Sequence, residues 1–299
     1  MYNKRNRAQF GDKLTSWIFL LPALIVVLFV VVLPLINSVI LSLKTVRLNI
    51  ANYEQKFIGL NNYIQMFKDD DFKIALKNTV IFAFISVFFE CLMGTITAMM
   101  FSGDGHKSRF FRSFMLLPMI MAPVVSGNLW RMMFDKSTGI INYGLTVLSL
   151  PPVNWLGDAN LAMVSVIFVD VWRMMPWVAL LLISGIKAIP YDTIEAAVVD
   201  GVSKWQNFIF IVLPQLYPIF ILVLMIRTID AFKVFDVVYV MTGGGPGRAT
   251  EMLPNYIYMQ GLRYFNAGYA AALAIVFLLT MACMAVLFIL LRRTKKSYR

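Results

Sequence analysis

Five charged side chains lie inside long apolar stretches of the sequence and are its first candidates for chemistry: Glu90, Asp170, Arg173, Arg227 and Asp230. A charge at bilayer depth is costly unless it is paired or hydrated. Asp170 and Arg173 are three residues apart, as are Arg227 and Asp230, so each pair could neutralise itself on one helix face. The alternative that the sequence leaves open is a polar surface that contacts a solute.

The same spacings extend along two helix faces, because steps of three and four residues return to the same side of a helix. The first face holds Asp170, Arg173 and Trp177, and the second holds Arg227, Asp230, Ala231 and Val234. These two faces are the candidate solute-binding surfaces of the chain.

Residues that enzyme active sites commonly need are scarce. Histidine occurs once, at His106, so neither an H-E-x-x-H metal site nor a Ser-His-Asp triad can be assembled. The glycine run Gly243–Arg248 lacks the Lys-Ser/Thr ending of a phosphate-binding loop, which favours a simple turn. We therefore expect no catalytic residue, no metal and no cofactor. Any ATP that drives this chain would be bound by another chain.

The composition is that of an integral membrane protein, since 60% of residues are hydrophobic and 14% are charged. About 20 mostly apolar residues cross a hydrocarbon core of about 30 Å. The sequence predicts an all-α membrane protein with a single transmembrane domain over 1–299. Its six spans are predicted at 14–43, 78–103, 110–134, 159–186, 205–232 and 264–291. Pro118 and Pro123 predict kinks in the third span, because neighbouring helices can satisfy the freed backbone groups.

Lys and Arg residues predict the orientation. They cluster at the amino terminus, after the second span and at the carboxyl terminus. An even number of spans places these three segments on one side, and the positive-inside rule makes that side cytoplasmic. The net charge of +11 comes mostly from these flanks. No basic cluster with interleaved aromatic residues indicates nucleic-acid binding.

The polar segment 190–210, between the fourth and fifth spans, carries signals for two short helices. Pro190 ends the preceding helix, and Asp192–Glu195 and Ser203–Gln206 each match a helix-capping pair. Gly201 lies between them at the position of a turn. The pattern predicts a helix–turn–helix on the cytoplasmic face that leads into the fifth span.

This segment also resembles a known motif. EAAVVDG at Glu195–Gly201, followed by IVLP at Ile211–Pro214, resembles the EAA motif of membrane subunits of binding-protein-dependent ABC importers. The remaining matches follow the order of the carbohydrate-uptake branch, which includes maltose, glycerol-3-phosphate and trehalose permease subunits. They are GLNNYIQMF, NTVIF, FFRSFMLLP, GIINYGL, ISGIKAIP, FDVVYVMTGGGP and GYAAALA. The resemblance covers nearly the whole chain, but the large outer domain of the maltose-type subunit is absent.

The resemblance implies an ABC importer permease fold with a cytoplasmic coupling helix, in a prokaryotic cytoplasmic membrane. It implies four partners: a homologous second permease subunit, a cytoplasmic ATPase dimer that binds the ATP, an extracytoplasmic solute-binding protein and membrane lipid. The residues that match the family's ATPase-coupling loop are Glu195, Ala196, Ala197, Asp200 and Gly201. The corresponding fourth and fifth helices line the sugar site in maltose-type relatives, where charged groups and an indole ring would suit sugars. The substrate path is therefore expected at Asp170, Arg173, Trp177, Arg227, Asp230 and Val234.

Two other functions remain open from the residues alone. An ion-coupled secondary transporter of a small polar solute could use Glu90 and Asp170, although such proteins usually show internal repeats and none is visible here. A membrane-embedded enzyme would need clustered catalytic or metal-binding residues, which the sequence does not offer. The sequence favours the permease subunit of an ATP-driven sugar importer.

Overall fold

Helices dominate the part of the chain that the structure describes. The computed structural model describes residues 17–50, 54–190, 192–193, 195 and 201–294. The chain divides into two compact units, which we take one at a time. The first contains the described parts of Met1–Lys68 together with Ile257–Phe277, and the second contains those of Asp69–Tyr256 and Leu278–Arg299.

The first unit begins with helix α1, Trp17–Ser42, whose apolar side chains are exposed along most of its length. A π-helical turn at Leu28–Val32 interrupts its regular hydrogen bonding. Strand β1 (Lys44–Thr45) then pairs antiparallel with β2 (Lys56–Phe57), and helix α2 covers Asn61–Lys68. An exposed apolar helix of this length is suited to lipid, because all its backbone groups are satisfied within the helix.

Asn62 joins α2 to the end of α1. Its side-chain nitrogen donates to the carbonyl oxygens of Ser42 at 2.7 Å and of Lys44 at 3.1 Å. The Ser42 hydroxyl also forms a 2.7 Å hydrogen bond with the Tyr63 hydroxyl. Because Asn62 and Ser42 are buried, these bonds satisfy polar groups that water cannot reach.

Most of the described helices lie wholly or partly in the second unit. They are α3 (Asp70–Phe101), α4 (His106–Ile120), α5 (Pro123–Met133), α6 (Ile140–Val147), α7 (Ala159–Lys187), α8, α9 (Asp236–Met241) and parts of α10 (Leu253–Tyr258) and α11 (Ala267–Thr294). Helix α8 consists of Lys204–Asn207, the π-helical Phe208–Val212 and Leu213–Phe232. A further π-helical turn, Met259–Arg263, follows α10 and belongs to the first unit. Side-chain caps start two of them, since Asp69 accepts from the amide of Asp71 and Asp158 from that of Asn160.

Glycines let the helices of the second unit pack closely. A Cβ atom at Gly94 on α3 would lie 2.7 Å from Cγ1 of Val178 on α7. A Cβ at Gly185 on α7 would lie 2.8 Å from Cδ2 of Leu216 on α8. Small residues at such contacts bring helix backbones together and so increase the van der Waals packing that helps helices associate in lipid.

Five of the described helical segments are long and apolar enough to cross a membrane, and the count becomes six if α4 and α5 form one broken span. These two helices meet at an angle of 93°. The break lies at Met121 and Ala122, which are extended directly before Pro123, while Pro118 lies inside α4. Proline disfavours the helical conformation in the residue before it. The two prolines expected to kink the third span therefore act differently.

Helix α3 begins eight residues before the predicted start of the second span. The first turn of this helix is capped by Asp69 and carries Asp70 and Asp71, charged residues that apolar length alone does not assign to a span. The loop after α9 and the first residue of α10 contact α3 directly after this extension: the Thr79 hydroxyl accepts from the Leu253 amide at 2.8 Å, and the Asn78 side chain donates to the Arg248 carbonyl at 3.0 Å. The glycine run is thus a turn attached to α3.

Candidate functional site

A buried ion network joins three helices of the second unit. Arg227 on α8 binds the carboxylate of Glu90 on α3 through two hydrogen bonds, 2.6 Å from Nε to Oε2 and 2.8 Å from Nη2 to Oε1. The same Nη2 donates to Oδ2 of Asp170 on α7 at 3.3 Å. The side chains of Glu90, Asp170 and Arg227 are each at most 2% exposed.

The ion network pairs three charged side chains that are shielded from water and would be costly to bury singly. An unpaired buried charge costs several kcal/mol, and a two-bond Arg–carboxylate contact offsets much of that cost with fixed geometry. The network therefore fixes the rotation of α3, α7 and α8 about their axes. Arg173 extends it, because its Nη2 donates to Oδ1 of Asp170 at 3.3 Å.

A cavity of about 250 Å³ lies beside this network. It is lined by Pro123, Asp170, Arg173, Met174, Arg227, Asp230, Lys233, Val234, Phe235, Asp236 and Val237. These residues come from the start of α5, the middle of α7, the end of α8, the connection between α8 and α9, and the start of α9. The break before Pro123 is what brings α5 into the lining.

The cavity has a buried polar base and a more exposed rim. Asp170 and Arg227 belong to the base, with Arg173 only 12% exposed. At the rim, Asp230 and Lys233 are 44% and 52% exposed and form an ion pair at 3.0 Å. Nε of Arg173 is buried and has no hydrogen-bond partner among the described residues. The exposed carboxylate of Asp230 and ammonium of Lys233 give the rim both an acceptor and a donor of hydrogen bonds.

The structure brings most of the predicted path residues together. Asp170, Arg173, Arg227, Asp230 and Val234 all line the cavity. The spacing argument placed Val234 on the same helix as Arg227 and Asp230. In the structure, α8 ends at Phe232, so Val234 lies just beyond it.

Trp177 lies elsewhere. It is half-buried against the hydrophobic core and is not among the residues that line the cavity. Spacing along α7 placed it on the face of Asp170 but could not show which neighbours cover that face one turn later.

The ion pairing also differs from the expected local pairs. The Asp170–Arg173 pair is present, but Arg227 approaches Asp230 only to 3.9 Å and binds Glu90 instead. Sequence reasoning singled out Glu90 as an intramembrane charge, yet no local signal identifies a partner that is 137 residues away.

Sequence reasoning did not assign the other six lining residues to the path: Pro123, Met174, Lys233, Phe235, Asp236 and Val237. Lys233 follows Asp230 by three residues, and this spacing was an available signal.

The predicted ATPase-coupling loop is described only in part. Glu195 is helical and exposed, and Gly201 has a φ of +73°, a left-handed turn conformation that glycine adopts readily. Ala196, Ala197 and Asp200 lie outside the described residues. The capping pair predicted after the turn is confirmed: the Ser203 amide donates to Oε1 of Gln206 at 3.0 Å, and the Gln206 amide donates to the Ser203 hydroxyl at 3.3 Å.

An ion pair lies at the end of α7, just before this loop. Lys187 binds Asp104, which lies in the connection between α3 and α4. The Lys187 ammonium keeps the pKa of the Asp104 carboxyl below its usual range. The contact ties the α7 terminus to the α3–α4 connection.

Comparison with known proteins finds relatives that are permease proteins of transport systems. Over 266 residues the chain is 35% identical to the trehalose/maltose transport system permease protein MalF of Thermococcus litoralis, covering 89% of this chain and 88% of the relative. It is 31% identical to the sn-glycerol-3-phosphate transport system permease protein UgpA of Agrobacterium fabrum, covering 89% and 90%.

The fold has a close counterpart among solved structures. A chain of a bacterial ABC transporter involved in alginate import superposes with a TM-score of 0.85 at 22% identity, over 97% of this chain and 99% of that one. A family model, described as "Binding-protein-dependent transport system inner membrane component", matches residues 90–296, which include the ion network and the cavity. The chain belongs to this family of inner membrane components of binding-protein-dependent transport systems.

Proposed function

We propose that this chain is the permease subunit of an ATP-driven sugar importer and that the cavity between α5, α7 and α8 is part of its translocation path. The observation that carries the proposal is this mixed-charge cavity above a buried ion network, in a chain whose relatives include sugar permeases. Carboxylates and guanidinium groups at a protein surface bind hydroxyls through charge-assisted hydrogen bonds.

Assembly with other subunits is part of the proposal. The chain pairs with a homologous permease and receives solute from an extracytoplasmic binding protein. A cytoplasmic ATPase dimer binds and hydrolyses the ATP, so the chain itself needs no cofactor and has no catalytic residue. Its two termini face the cytoplasm of a prokaryotic cell.

The coupling loop transmits the ATPase movement in this proposal. Glu195 is exposed on the segment predicted to dock on the ATPase, and the turn at Gly201 leads directly into the capped start of α8. Since Arg227 lies on α8, a displacement of this helix would move one wall of the cavity. Solute access and ATPase closure are thereby linked through a single helix.

Reconstitution of the complete transporter tests the proposal. The chain is co-purified with its native partners, placed in proteoliposomes with the binding protein, and assayed for uptake of radiolabelled mono- and oligosaccharides. Uptake should require internal ATP and survive ionophores that dissipate ion gradients. Uptake that depends on an ion gradient and not on ATP would contradict the proposal and support a secondary transporter.

Asp230→Asn tests the cavity itself. Hydrogen bonds to a charged group contribute about 1.5–3 kcal/mol, so sugar uptake should fall roughly tenfold or more, at about 1.4 kcal/mol for each factor of ten. Asp70→Asn is the matched control, because Asp70 also forms an i,i+3 pair with a lysine, Lys73, but lies outside the cavity. Equal sugar uptake by Asp230→Asn and Asp70→Asn would show that Asp230 does not contribute to the translocation path.

A further inference from the structure

We propose that the cavity accepts uncharged, hydroxyl-rich solutes and discriminates against anionic ones. This inference rests on the proposed function and narrows its substrate class. It follows from the ion pairs that the charged groups of the cavity already form with one another.

Every cation that lines the cavity is bonded to a carboxylate. Arg227 binds Glu90 at 2.6 and 2.8 Å, and Arg173 binds Asp170 at 3.3 Å. At the rim, Lys233 binds Asp230 at 3.0 Å. Among the described lining residues, no cation is left free to neutralise a phosphate or a carboxylate on a ligand.

The carboxylates match or outnumber the cations. Asp170, Asp230 and Asp236 line the cavity opposite three cations, so the lining set is formally neutral. Glu90, behind Arg227, adds a fourth carboxylate. Asp236 is exposed and has no ion-pair partner among the described residues. An anion entering the cavity would therefore approach an uncompensated carboxylate or have to break an existing ion pair, and both are unfavourable.

A neutral sugar meets neither obstacle. Its hydroxyls can donate to the exposed oxygens of Asp230 and Asp236 without disturbing the base of the cavity. A hydroxyl oxygen can also accept from the ammonium of Lys233, which is 52% exposed and keeps further N–H donors beside its bond to Asp230. Hydroxyl groups both donate and accept, so they suit a site in which donors and acceptors alternate.

The test must bypass the binding protein, which selects solutes itself. The complete permease–ATPase complex in lipid nanodiscs is mixed, without binding protein, with matched pairs of neutral and anionic sugars. The pairs are trehalose with trehalose 6-phosphate, glucose with glucuronate, and maltose with maltobionate. Saturation-transfer NMR titrations measure the dissociation constant of each compound.

At least one neutral sugar should bind at least about tenfold more tightly than its anionic partner. Asp230→Asn, which releases Lys233 from its ion pair, should reduce this ratio at least about threefold by improving anion binding. Asp230→Glu keeps the charge and should keep the ratio, while Asp70→Asn serves as the control outside the cavity.

The outcomes separate this inference from the proposed function. If an anionic sugar binds as tightly as its neutral partner or more tightly, the charge selection is wrong, although a sugar permease remains. If uptake still requires ATP but no member of any pair binds, the cavity is not the solute site and the inference is wrong. The same conclusion holds if the sugars bind but Asp230→Asn leaves their binding unchanged. If uptake itself does not require ATP, the proposed function fails first.

Discussion

Glu90→Gln removes the charge that holds Arg227 and should destabilise the folded chain by about 3 kcal/mol. The variant keeps the size of the side chain but replaces a carboxylate that accepts at 2.6 and 2.8 Å from a guanidinium only 2% exposed. Removing one partner of a buried ion pair costs about 3–5 kcal/mol. The lower end applies here, because Asp170 still accepts from Arg227 at 3.3 Å.

A double-mutant cycle measures this effect. Glu90→Gln, Arg227→Gln and the double variant are purified, and unfolding in SDS–detergent mixtures is followed by tryptophan fluorescence. The double variant should lose clearly less than the sum of the single losses, because it leaves no buried cation without its partner. Residues in direct contact commonly show such coupling energies of about 0.5–3 kcal/mol.

Asp70→Asn provides the matched comparison. Its ion pair with Lys73 has a similar distance, 2.7 Å, but the side chains are 85% and 55% exposed. Exposed pairs contribute about 0–1 kcal/mol, so this variant should be nearly neutral. If Glu90→Gln were as mild as Asp70→Asn, or if the two single losses in the cycle simply added, the network would not hold the three helices together.

Two further predictions concern coupling and orientation. Gly201→Asp should leave the complex assembled but abolish ATP-dependent uptake, because a charged side chain would enter the docking turn. Gly59→Asp, at a glycine with a similar left-handed φ of +57°, should preserve uptake and so control for backbone strain. Single cysteines at Lys107, or at Asn6 and Ser297 outside the described residues, should react with impermeant maleimide only after the cells are opened, in a background without the native cysteines. Labelling of any of these cysteines in intact cells would contradict the predicted cytoplasmic orientation.

The sequence alone determined features that depend on neighbouring residues. Apolar length predicted the membrane helices, since crossing hydrocarbon requires a continuous run of apolar side chains. The capping pair at Ser203 and Gln206 was predictable because both bonds form within one helical turn. The Asp170–Arg173 pair was predictable for the same reason. The family was evident from the order of short motifs.

Only the tertiary structure decided how distant charges combine. Glu90 and Arg227 are far apart in sequence, and helix packing across the bundle, which no local pattern encodes, places them in contact. The same packing leaves Trp177 half-buried against the hydrophobic core, outside the cavity lining, and brings Asp236 into the cavity. A proline marks a place where a helix can bend, but the surrounding helices decide whether it bends there. The chain therefore remains helical at Pro118 and breaks before Pro123.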